Sequence, residues 1–198
     1  MQLVGERWAL LIVQDLLLGP KRFTDLRQGL PRIPTNVLSR RLKELEDAGV
    51  VRRRILPRPS GSVVYELTAY GCELDEVLLR LCRWGSRRLR EPVPGEIFTV
   101  DSTVMLLRSA FRPAAAGDGA VSYELWVDDA VLHVRVADGR LAVDPGTAPT
   151  ADLVIEAGRA LRALLSGIEA AGAAVTGGAV RLAGDRGLLP RFASTFQI

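Results

Sequence analysis

Apolar residues recur along this chain with two different periods, helical and alternating. Over the first fifty residues the spacing is helical. Trp8, Leu11, Ile12 and Leu16 lie near one face of a stretch from 4 to 18, supported by Leu10 and Leu17, and Gly19 and Pro20 end it. Phe23, Leu26 and Leu30 stand at i, i+3 and i+7, which predicts a second short helix. Pro31, Ile33 and Pro34 interrupt that spacing, because proline lacks an N–H and restricts the residue before it. Thr35 or Asn36 offers a side-chain oxygen to cap a third helix. Val37, Leu38, Leu42, Leu45 and Ala48 form its apolar back, and Gly49 stops it. Its front carries Asn36, Ser39, Arg40, Lys43 and Asp47, with Arg41 at the edge. Residues 50–56 and 63–67 read as strands around the turn formers PRPSGS, with Arg52, Arg53, Arg54 and Arg58 on or beside the hairpin. Helix, turn, helix and a basic hairpin make a winged helix, whose third helix is the candidate DNA reader. Thr68 is expected to cap a long helix from 69 to 89 with an apolar stripe of Leu74, Val77, Leu78, Leu81, Cys82 and Trp84, wide enough for a partner helix.

After the linker composition of 90–97 the pattern changes. Residues 100–111 read as a helix and 114–119 as a loop. Residues 121–127, 131–136 and 141–143 then alternate apolar and polar positions, with turn signals at Asp128-Asp129 and Asp138-Gly139, so an antiparallel meander is expected. A strand at 151–156, helical pieces at 159–165 and 169–175, a short strand at 179–183 and a final helix capped by Asp185 complete the reading. The expected fold class is α+β: a winged helix-turn-helix domain over 1–91, which binds DNA and dimerises, then an α/β domain over 92–198 with a mainly antiparallel sheet.

Charge sharpens this division. Of 198 residues, 48% are apolar and 25% charged, the composition of a globular chain. Residues 1–91 hold 17 Lys and Arg against 11 Asp and Glu, whereas 92–198 hold 9 against 12. Between 20 and 58 the count is 11 against 4, the electrostatic footprint of a phosphate-backbone binder. No run of about 18 apolar residues exists to span a membrane, and the apolar start is broken by Glu6, Arg7, Gln14 and Asp15 at helical spacing, so a core helix is expected in place of a signal peptide. Cys72 and Cys82 form no disulfide framework; ten residues apart in one predicted helix, they would be separated by about 15 Å. A cytoplasmic location is expected.

Catalytic patterns are missing. His133 is the only histidine and falls in a predicted strand, so no metal site can be built from histidines, and the cysteines lack C-x-x-C spacing. There is no G-x-S-x-G elbow, and Gly177-Gly178 and G-D-R-G at 184–187 lack phosphate-loop and dinucleotide spacing. No enzyme activity, cofactor or metal is expected.

Residues 4–85 resemble the HxlR-type winged-helix transcriptional regulators. The resemblance rests on VGERWALLIVQDLLLGPKRFTDLRQGLPRIPTNVLSRRLKELEDAGVVRR, VVYELTAYG and RLCRWG. It implies operator binding as a homodimer, with Thr35, Asn36, Ser39, Arg40 and Arg41, beside Lys43 of the same face, on the recognition helix. Arg54, Arg58, Ser60 and Ser62 then match the wing contacts. It also implies a segment before the first helix, often with a sensing cysteine; this chain opens almost on that helix, so thiol sensing by that cysteine is not expected. Residues 98–198 resemble, more loosely, a sterol carrier protein type 2-like domain, through ADLVIE, ALRALLSG, GAVRLAGD and LLPRFASTF. That likeness implies an apolar tunnel for a hydrophobic small-molecule effector, with Leu106, Leu107, Phe111, Leu125, Trp126, Leu161, Leu164, Leu165, Phe192 and Phe196 as candidate lining.

The expected function is a homodimeric DNA-binding transcriptional regulator on a palindromic operator, with dimerisation through the 69–89 helix and no membrane partner. Arg40 or Arg41 would bind guanine bidentately while the other holds phosphate. The rival is a hydrophobic-ligand carrier whose winged helix serves dimerisation or protein contact. The charge concentrated between 20 and 58 speaks against that rival.

Overall fold

The computed structural model describes residues 5–59, 61–86 and 99–198. The chain divides into two units, 1–80 and 81–198, and the division falls inside a helix. The linker expected at 90–97 lies outside the described residues.

The first unit orders α1 (Ala9–Leu16), α2 (Phe23–Gly29), α3 (Thr35–Asp47), β1 (Val51–Ile55), β2 (Val63–Leu67) and α4 (Ala69–Cys72), and α5 (Leu74–Ser86) begins within it. The apolar faces expected for the first three helices meet in one core, except Ala48, which is exposed at the end of α3. Ile12, Leu16, Leu26, Leu38, Leu42, Leu45 and Leu78 are buried together, with Phe23, Val37 and Tyr65 packed around them. Gly49, at φ +70°, ends the path of α3 as its sequence predicts. Strands β1 and β2 pair antiparallel with Arg52 opposite Glu66 and Arg54 opposite Val64. Lys21 joins them: its N–H donates to Tyr65 O at 2.9 Å and its carbonyl accepts from Tyr65 N at 2.8 Å.

Four expectations need correction here. The first helix is shorter than 4–18. Thr35 and Asn36 do not cap α3; Pro34 occupies the N-cap with no side-chain bond, since its fixed φ suits the position. The long helix is broken into α4 and α5, so Cys72 and Cys82 sit in different helices. The break has a tertiary cause. Thr68 Oγ1 accepts from Gly71 N at 3.1 Å and donates to Gly49 O at 2.6 Å, tying α4 to the loop before β1. Glu73 then bonds back three residues to Tyr70, a tighter turn than α. The fourth correction belongs to the second unit, whose sheet is mixed.

That unit contains α6 (Val100–Ala110), β3 (Val121–Val127), β4 (Ala130–Ala137), β5 (Arg140–Pro145), β6 (Leu153–Glu156), α7 (Leu161–Leu165), α8 (Ile168–Thr176), β7 (Arg181–Gly184) and α9 (Leu189–Thr195). The strand order is β5-β4-β3-β6-β7. The meander β3-β4-β5 is antiparallel as expected, but β6 runs parallel to β3, so the sheet is not simply antiparallel. A parallel neighbour requires a long connection, and the stretch between β3 and β6 supplies it through two intervening strands. One sheet face, with Tyr123, Leu125, Leu132, Val134, Leu153 and Ile155, is buried. Asp185 Oδ1 accepts from Gly187 N at 2.9 Å and so caps a 3-10 turn at 186–188, while α9 behind it has Leu188 at its N-cap with no side-chain bond. No helix among the described residues is long and apolar enough to cross a membrane.

Candidate nucleic-acid interface

The back of α3 is buried through Leu38, Leu42 and Leu45, which leaves Thr35, Asn36, Ser39, Arg40, Lys43 and Asp47 exposed on its front. From Asn36 to Lys43 the front spans about 10 Å, the length of three stacked base pairs. Ser39 Oγ donates to Thr35 O at 3.0 Å, which fixes its rotamer and leaves its oxygen able to accept. Arg40 is exposed and only loosely tied to Glu44, at 3.9 Å.

Arg41 behaves differently. Its side chain is 14% exposed and reaches Glu6 at 2.6 Å and Glu44 at 2.5 Å. A guanidinium held by two carboxylates on the flank of α3 is a structural clamp. The sequence placed Arg41 at the edge of the front; the ion pair with Glu6 turns it away.

The wing is cationic but mostly satisfied. Arg52 and Arg54 both donate to Glu66, each at 2.8 Å, and Arg53 donates to Glu46 at 2.9 Å. The Arg54 hydrogen bond, ahead of that from Arg52, holds the Glu66 carboxyl below the ordinary glutamate range despite its burial. Arg58 is exposed near the hairpin tip with no ion pair among the described residues. Ser62 sits at the far side of the tip, where its carbonyl accepts from Leu56 N at 2.9 Å. Ser60 lies outside the described residues.

On α5, Leu78 is buried while Val77, Leu81 and Trp84 are exposed, as is Tyr70 of α4. Positions 77, 81 and 84 follow helical spacing, so they line one uncovered apolar stripe. Cys72 is exposed, and burial pushes the Cys82 thiol up, which lowers its thiolate fraction.

In the second unit most of the expected tunnel residues are core side chains, but Leu106 is only partly buried and Trp126 is exposed. Leu107, Leu125, Leu161, Leu164, Leu165, Phe192 and Phe196 are fully buried, and Phe111 is partly so. Phe196 packs on Phe111 and Phe192, with ring centres 5.8 and 4.8 Å apart, and Phe192 meets Tyr123 edge-on at 5.1 Å. The Tyr123 hydroxyl is buried without a partner among the described residues, and burial pushes its pKa up to about 12.

Sequence reasoning missed several polar groups of this unit. Ser122 Oγ lies 2.8 Å from His133 Nε2. Glu124 accepts from Trp126 Nε1 at 2.8 Å and from Ala148 N at 2.7 Å. Both sit on polar positions of alternating strands, and the alternation was their only sequence signal. Among the described residues no cluster of His, Cys, Asp and Glu could hold a metal.

Comparison with known proteins agrees with the first unit. A family model described as HxlR-like helix-turn-helix matches residues 3–92. The HTH-type transcriptional regulator YodB of Bacillus subtilis (strain 168) is 39% identical over 85 residues, which cover 43% of this chain and 76% of that protein. The HTH-type transcriptional regulator YtcD of the same organism is 34% identical over 100 residues, covering 50% of this chain and 79% of its own length. The reduced form of YodB from B. subtilis matches 48% of this chain and 90% of that one, with 37% identity and a TM-score of 0.41. The matched range takes in α1 to α5 and the β1-β2 hairpin, and the chain belongs to the HxlR-like helix-turn-helix family.

Proposed function

We propose that the chain is a DNA-binding transcriptional regulator that acts as a homodimer on a palindromic operator. The observation that carries this reading is the front of α3, where Asn36, Ser39, Arg40 and Lys43 stand exposed on a helix anchored by its back. Asn and Arg are the side chains suited to bidentate contact with adenine and guanine in the major groove. Arg40 is the base-reading arginine, and Lys43 holds phosphate. Arg41 supports the helix from its flank through Glu6 and Glu44. Arg58, with Ser60 and Ser62, contacts backbone or minor groove beside the site, and Arg54 contributes there only by letting go of Glu66.

The exposed stripe of Val77, Leu81 and Trp84 supports dimerisation through α5. A twofold axis through that contact dictates inverted half-sites separated by about one helical turn or a multiple. The second unit is the effector module; a ligand held there shifts operator affinity by favouring one dimer geometry.

Selection from a randomised pool of DNA duplexes tests the reading. Enrichment of a sequence with inverted half-sites is expected. Recovery of sequences with no shared motif would leave the winged helix as a protein-contact module and favour the carrier.

A further inference from the structure

The parallel strands β3 and β6 end side by side, at Val127 and Glu156, and the chain leaves them in opposite directions. Strand β3 turns back into β4 on one side; β6 continues through α7 and α8 to β7 on the other. Because β3 leaves by a hairpin and β6 by a helical connection, no segment joins the two carboxyl ends directly. A cleft of about 490 Å³ lies at this place, with Trp126, Asp128, Glu156, Gly158, Arg159 and Arg181 among its lining residues. The volume is within the usual range for a small-molecule site.

Its chemistry is amphoteric. Arg159 and Asp128 are exposed, and neither makes an ion pair or a side-chain hydrogen bond among the described residues. Glu156 and Arg181 lie 3.6 Å apart with both side chains largely in water, at 54% and 83% exposure, so that pair yields readily to a competing charge. Trp126 is 38% exposed, and its ring is held in place by the bond from Nε1 to Glu124. An anion or a cation alone would meet only half of these charges. An apolar ligand would take them out of water with nothing to pair them.

We propose that this cleft binds a small zwitterion of the amino-acid class, with its carboxylate on Arg159, its ammonium on Asp128 and Glu156, and its side chain against Trp126. The site is distinct from the α3 front and from the packed aromatic core, and its occupancy does not depend on the DNA-binding reading. Gly158, at φ +47°, lets the backbone turn between Glu156 and Arg159, so that both side chains border one opening.

The test is calorimetric titration of the full chain with each of the twenty proteinogenic L-amino acids. For the tightest of them, the analogues lacking the amine and lacking the carboxylate are titrated as well. Saturable binding by at least one amino acid is expected, weakened at least about tenfold by Arg159→Ala and by Asp128→Asn, and by loss of either charged group from the ligand. Both substituted side chains are exposed, and circular dichroism checks that each variant keeps its fold. The absence of saturable binding by any amino acid overturns the proposal. Binding that Arg159→Ala leaves undiminished overturns it equally.

Discussion

Nη2 of Arg41 lies 2.6 Å from Oε2 of Glu6, so a residue on the flank of α3 is fastened to a segment 35 positions earlier in the chain. The two adjacent arginines of α3 therefore differ in setting: Arg40 is exposed and Arg41 is held. Arg41→Ala breaks the contacts with Glu6 and Glu44 and should cost about 1 kcal/mol. In a domain of this size that lowers the melting temperature by about 4–8 °C. Thermal unfolding checks this, and the salt dependence of DNA binding should stay as in the wild type. An Arg41→Ala protein that melts normally but loses DNA would contradict the assignment.

Gly71 is required by a close approach. A Cβ there would stand 2.2 Å from Val50 O and 3.2 Å from Leu67 Cδ2. Backbone cannot move aside as a flexible side chain does. Gly71→Ala should destabilise the first unit by about 1–3 kcal/mol, read as a lower urea midpoint. An unchanged midpoint would show that α4 is not clamped against β1.

The apolar stripe on α5 predicts association. Leu81→Glu puts a charge in the middle of Val77, Leu81 and Trp84, all of them exposed. Sedimentation equilibrium should find a dimer for the native chain and a monomer for the variant, with thermal stability of the winged helix little changed. A native monomer at micromolar concentration would contradict dimerisation through this face.

Much of the first unit could be read in the sequence, because its determinants are local. The periodicity of Leu38, Leu42 and Leu45, the stop at Gly49 and the turn formers between the wing strands each act within a few residues. What was hidden depends on distant partners. Arg41 turns because of Glu6, and α4 breaks from α5 because Thr68 and Gly71 meet Gly49 and Val50. In the second unit the meander was legible from its turns, while the parallel pairing of β3 with β6 carries no turn signal. The cleft was invisible for the same reason: Trp126, Asp128 and Arg159 come together only through that pairing.

The wing should respond to acid. Hydrogen bonds from Arg54 and Arg52 lower the Glu66 pKa in the folded state. Its contribution to stability is therefore complete above the ordinary glutamate range, and it is lost as pH falls through the lower folded value. Glu66→Gln removes that dependence, so stability measured against pH should fall less steeply on the acid side than in the native chain. Parallel curves for the two proteins would contradict the pairing.

DNA reading by the front of α3 is tested by affinity for a selected operator across a salt series, comparing the native chain with Arg40→Ala and Lys43→Ala. Tight binding that weakens steeply with salt is expected. Lys43→Ala should reduce the salt slope by about one and weaken all sequences alike, while Arg40→Ala costs about 1–3 kcal/mol on the operator and relaxes specificity. Binding that is weak, insensitive to salt and unchanged in both variants would contradict it.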